Sequence, residues 1–170
     1  MSAGRPSLFF VLIHRRLMSD QLTEQLKEIA KPVVEQEDMF LVDVEVKPAS
    51  TKEIWILVDS ESGGVNVDTC SRISRELAFL LEEENLINSA YRLNVSSPGL
   101  ARPLSDSRQY LKNSGRRVKV KYKSGDDYLT VEGELTHVVN GTSFDVIADD
   151  GSHIKIGFSD VVETKVIPKI

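Results

Sequence analysis

Asn94-Val95-Ser96-Ser97-Pro98-Gly99-Leu100-Ala101-Arg102-Pro103-Leu104 is the stretch that divides the chain into two halves of different character. Val95 closes a strand-like run from Tyr91, and Ser-Ser-Pro-Gly then imposes a turn. Proline sets φ for the second turn position and glycine accepts the positive φ of the third. Pro103 pushes Arg102 out of the helical region. Ser96, Ser97, Pro98, Gly99, Leu100, Pro103 and Leu104 thus read as a stiff, non-helical elbow. Arg102 is its only charge, flanked by Leu100 and Leu104 as expected buried anchors. The composition suits a connector as well as it suits a contact surface.

Ahead of the elbow the pattern is helical and then alternating. Leu8 to Ile13 is an apolar run too short to span a bilayer, and no small-residue cleavage site follows it. Residues 1–18 are therefore read as a tail produced by an upstream start codon, with no role for His14. Ser19 is the expected cap of a first helix whose buried stripe is Leu22, Leu26, Ile29 and Val33, with Pro32 ending or kinking it. Phe40–Lys47 and Ile54–Asp59 alternate as an antiparallel pair, with Val42, Val44 and Val46 inward. Ser60–Gly64 lacks the spacing of a phosphate-binding loop. Asp68 is the expected cap of a second helix with Cys70, Ile73, Leu77 and Leu80 buried, and Tyr91–Val95 adds a third strand. Residues 19–95 are thus predicted to form an αββαβ domain.

Behind the elbow, residues 96–114 include a short helix, Asp106–Lys112, capped by Ser105. Residues 115–170 carry five short strands: Arg117–Tyr122, Tyr128–Val138, Ser143–Ala148, His153–Gly157 and Val162–Ile167. Gly125-Asp126-Asp127, Asn140-Gly141 and Asp150-Gly151 are hairpin signals between them, and Gly133 lets the longest strand turn a corner. Five strands in so short a span predict a small SH3-like (Sm-like) five-stranded β-barrel. The fold class is therefore α+β.

Charge separates along the chain. Its 170 residues carry a formal net charge of −5, which argues against a general coat for duplex nucleic acid. Residues 19–95 hold 16 acids and 7 bases, whereas residues 102–123 hold eight bases against Asp106 alone. Such asymmetry favours oriented docking on a charged partner. In the strand Arg117–Tyr122, period-two spacing puts Arg117, Lys119, Lys121 and Lys123 on one face, a cationic ladder roughly 20 Å long. Arg102, Arg108 and Arg116 extend it. Phosphate contact is one reading of this ladder; lysine protection of an exposed sheet edge is the other.

Evidence for chemistry is thin. The one cysteine, Cys70, excludes an internal disulfide and sits on an apolar stripe. Asp126 and Asp127 are explained by turn chemistry. His137 and His153 can approach one another across strands, yet neither a cysteine nor an acid at ligand spacing joins them. Ser96 and Ser97 lack the nucleophile-elbow pattern of a hydrolase. The expectation is no catalytic residue, no metal, no cofactor, no small-molecule substrate and no membrane association.

Val95-Ser96-Ser97-Pro98-Gly99-Leu100-x-Arg102-Pro103-Leu104 resembles the signature of the RimP family of ribosome maturation factors. Phe40–Glu45 and Ile54–Asp59 resemble that family's first two strands, and Val67–Arg75 the start of its second helix. The resemblance covers residues 20 to 168. Asn94 and Ala101 depart from it, standing where family members often carry acids. It implies a cytoplasmic, monomeric, non-enzymatic assembly factor that binds the immature small (30S) ribosomal subunit, through rRNA and ribosomal protein, and promotes its maturation. The barrel half is also what the resemblance implies. An alternative class is a protein-interaction adaptor that takes a peptide in the barrel groove, with Tyr122 and Tyr128 as the aromatic candidates.

Overall fold

The computed structural model describes residues 4, 7–36 and 38–169. The chain divides into two units, the first running to Ser60 and from Gly64 to Ser97, the second comprising Glu61–Gly63 and everything from Pro98. Helices and sheets are mixed in the first unit, and the second is mainly sheet.

In the first unit, helix α1 (Leu8–Val34) is followed by strands β1 (Met39–Lys47) and β2 (Lys52–Ser60), helix α2 (Val67–Glu84) and strand β3 (Tyr91–Ser96). β1 and β2 are antiparallel, β2 and β3 parallel, in the order β1-β2-β3. The parallel step follows from α2, because a helical crossover returns the chain in the same direction. Leu26, Ala30 and Val33 of α1 and Ile73, Leu77 and Leu81 of α2 pack on Val44, Ile54, Ile56 and Val58 in one core. Two expectations are corrected at the helix starts. α1 begins at Leu8 with the Ser7 side chain accepting from the Phe10 N–H, so Ser19 is interior and much of the expected tail is helical. Residues 1–3, 5 and 6 of that tail, and the His14 side chain, lie outside the described residues. α2 is capped by Asn66, whose side chain accepts from the Thr69 N–H, rather than by Asp68.

β1 holds a further correction. Its pairing with β2 slips between Leu41 and Asp43. Met39, Leu41, Val44 and Val46 face the helices, and Val42 does not join them. One extra residue in the strand reverses the inward parity from there on.

The second unit contains helix α3 (Ser107–Lys112) and strands β4 (Arg117–Ser124), β5 (Asp127–Val139), β6 (Ser143–Ala148), β7 (His153–Gly157) and β8 (Val161–Val166), with a single 3₁₀ turn at Phe158–Asp160. α3 is capped by Asp106, not Ser105, in a reciprocal box with Gln109. Tyr110 anchors the helix. Its ring lies 4.9 Å from that of Phe144 and 4.8 Å, edge-on, from that of Phe158, while its hydroxyl donates to Thr164 Oγ1 at 2.8 Å.

All five strands pair antiparallel in the order β7-β6-β5-β4-β8. β5 serves two neighbours in turn: residues 127–134 pair with β4, and 133–139 pair mostly with β6. Gly133 sits at that changeover, between Val118 and Ala148. A Cβ there would collide with the Ile147 carbonyl oxygen, so glycine is required for strand approach as well as for bending. The five expected strands form one antiparallel sheet, and no pairing between β7 and β8 joins its edges among the described residues.

Candidate nucleic-acid interface

Alternation on β4 builds the candidate face. Val118 and Val120 are fully buried, and Arg117, Lys119, Lys121 and Lys123 point out, so the expected ladder exists as geometry. Its surroundings decide what it can do. β4 is flanked by β5 on one side and β8 on the other, an interior strand. Lysines guarding an open edge is therefore not the explanation.

The seven candidate cations are not equivalent. Arg117 forks onto Asp149 at 2.8 and 2.9 Å and lies 3.5 Å from Glu132. The hydrogen bonds hold the Asp149 carboxyl below the usual carboxylate range and raise the guanidinium in turn. Arg108 makes a comparable fork with its own helix cap, Nε and Nη2 each bonding Asp106 at 3.0 and 2.9 Å, and reaches Glu61 at 3.7 Å. Both would have to give up charge-assisted bonds to meet a phosphate. Arg102 is half-buried and lines a groove of about 600 Å³ with Leu104, Tyr110, Phe158 and Val162. Arg116 is exposed at the foot of β4.

The three lysines differ by what lies opposite them. Lys119 faces Glu132 on β5 and Lys165 on β8. Lys121 faces Thr130 and Glu163, but Glu163 is bonded to Lys165 at 3.1 Å. Lys123 faces Tyr128, and the Lys121 ammonium lies 5.7 Å from the centre of that ring. Tyr128 is 61% exposed. Two lysines around an accessible aromatic face can take a phosphate and a stacked base together. Sequence reasoning offers Tyr128 only as a groove residue for a peptide and misses its place beside the ladder. Counting back from the tight turn, where Ser124 pairs with Asp127, is the signal that finds it. Lys165 carries no such signal, because the pairing of β8 with β4 is remote in sequence.

At the elbow, Gly99 has φ +73°, as the Pro-Gly turn demands. Leu104 is half-buried against the second core and its N–H bonds the Thr164 carbonyl at 2.8 Å. Leu100 is 48% exposed, so the expectation of two buried anchors is corrected to one. Ser96 closes β3 opposite Leu57 and donates its hydroxyl to the Ser97 carbonyl. Arg72 is bonded to Gln36 and Glu76, not freely solvated. Burial pushes the Cys70 thiol up, which makes it a poor nucleophile.

One grouping lies outside every sequence motif. His137, Asp145 and His153 come together on three adjacent strands. No helix among the described residues is long and apolar enough to cross a membrane. Comparison with known families bears on the first unit: residues 29–101 match the family model described as the RimP N-terminal domain.

Proposed function

As a chain that belongs to the RimP family through residues 29–101, the protein is, we propose, a ribosome maturation factor that binds the immature small (30S) ribosomal subunit and promotes its maturation without catalysing a reaction. The family match carries this reading. Stabilising one conformation of the assembling particle shifts its folding equilibrium, and no chemistry is needed for that. The partners are rRNA and a ribosomal protein, the setting is the cytoplasm, and the chain works as a monomer. The five C-terminal strands are read as an SH3-like (Sm-like) barrel, supported by the long β5 that passes from one neighbour to the other at Gly133.

Lys119, Lys121 and Lys123 with Tyr128 form the core of the rRNA contact in this reading. Arg102 and Arg116 extend it, while Arg108 and Arg117 hold the scaffold through Asp106 and Asp149. The elbow from Ser96 to Leu104 sets the reach between the two units. Co-sedimentation with immature and mature small subunits over a salt series tests the proposal, with crosslinks placed at Arg102 and Lys121. Preferential, salt-sensitive binding to the immature particle, with crosslinks to rRNA from Lys121, is the expected result. Binding to neither particle, with capture of a peptide segment instead, would leave the adaptor reading.

A further inference from the structure

We propose that His137, Asp145 and His153 form a binding site for one divalent transition-metal ion of the zinc class. Each offers a ligand atom, and the three atoms lie within 4.8 Å of one another. His137 Nδ1 stands 3.6 Å from Asp145 Oδ2, and the two imidazole rings are 6.4 Å apart centre to centre. The side chains come from β5, β6 and β7, three adjacent paired strands, so the backbone spacing is fixed by the sheet.

The register explains how they share a face. Asp145 pairs with Lys155 and Ile147 with His153, which makes Asp145 and His153 diagonal neighbours on the outer side of the β6–β7 pair. Phe144, Val146 and Ile156 take the inner side. On β5, Thr136 is the residue opposite Asp145, and regular alternation would send His137 to the core. A bulge prevents that. Pairing with β6 slips between Thr136 and Val139, and the core positions on this strand step from Leu135 to Val138. Thr136 and His137 therefore both turn outward.

His137 adopts φ +47° to make that turn, one of two non-glycine residues with positive φ among those described. A backbone held in the left-handed region costs free energy, and such strain gathers where a side chain must be aimed. The Asp145 side chain is 23% exposed and that of His137 67% exposed, so a rooted carboxylate faces an imidazole with room to turn.

The chemistry of the set selects the ion. Two neutral imidazoles and one carboxylate suit zinc, nickel or cobalt, and three protein ligands leave a position for water. Ligand atoms around zinc, at about 2.0–2.2 Å from the metal, stand roughly 3.3 Å apart. Binding therefore requires the exposed imidazoles to rotate inward from the present separation. Lys155, opposite Asp145, places a cation at the same face and weakens binding without removing a ligand.

Isothermal titration of the full, untagged chain with zinc chloride after chelator dialysis tests the site. The expected result is one ion per chain. His137→Gln, Asp145→Asn and His153→Gln should each weaken binding at least tenfold, with cooperative melting retained. Cys70→Ser and His14→Gln should bind like the parent. On adding zinc, the imidazole NMR signals of His137 and His153 should shift together, which gives a readout that does not depend on any variant folding. No binding by the parent overturns the proposal. Binding that survives all three ligand substitutions, or that is lost in Cys70→Ser or His14→Gln, overturns it equally.

Discussion

Two buried or bonded side chains show how far single residues set the second unit. Tyr110 donates to Thr164 in a core where both are shielded from water. Tyr110→Phe removes the donor and leaves the threonine hydroxyl without it, so about 1–3 kcal/mol of stability is lost, measurable by urea unfolding. Adding Thr164→Val removes the stranded partner, and the double variant should be less destabilised than the sum of the two singles. Arg117 supplies a second case. Its fork lowers the Asp149 carboxyl, so the stabilisation it gives is present above the ordinary aspartate range and is lost as pH falls through the depressed value. Arg117→Gln should return the Asp149 titration, followed by NMR, upward to the ordinary range. An unchanged titration would mean the fork is not populated in solution.

Elements show where sequence reading succeeds and where it stops. β4 is legible because valine and lysine alternate without interruption, and Val118 and Val120 are buried as that pattern requires. The hairpin turns are legible from Gly-Asp, Asn-Gly and Asp-Gly. Both bulges escape, at Val42 and at His137, because an extra strand residue leaves no mark in side-chain chemistry and simply inverts the parity after it. The interior place of β4 escapes as well, since strand order is fixed by contacts remote in sequence. Asp145 goes unseen as a companion of His137 and His153 because the bulge hides which face His137 takes. That interior place sharpens the test of the ladder. Lys119→Glu with Lys121→Glu should leave the melting temperature nearly unchanged, as surface substitutions typically cost within about 0.5 kcal/mol. Subunit binding should weaken, and its log–log salt slope should flatten by roughly one for each phosphate no longer neutralised. Tyr128→Ala should weaken binding by about 1–3 kcal/mol at every salt concentration, as stacking does. Binding indifferent to both changes would remove β4 from the interface.

The whole molecule joins two units at Ser97–Pro98, with an excess of acids before the junction and a run of bases, residues 102–123, just after it. Binding a particle through both units at once makes the second contact intramolecular, and the stiffness of the connector then sets its effective concentration. Pro98→Ala with Pro103→Ala frees two fixed backbone angles while leaving the Leu104 amide bond to Thr164 available. Each unit should keep its own unfolding transition, and affinity for the immature subunit should fall several-fold. Arg102→Ala separates charge from stiffness, because it removes the guanidinium and leaves both prolines. A contact arginine should contribute about 1.5–3 kcal/mol to binding, the scale of a hydrogen bond to a charged group. Weakening confined to the proline variant assigns the elbow to reach, and weakening confined to Arg102→Ala assigns it to direct contact. Parent-like binding by both would make Ser96–Leu104 a passive link and return the whole of the affinity to the faces of the two units.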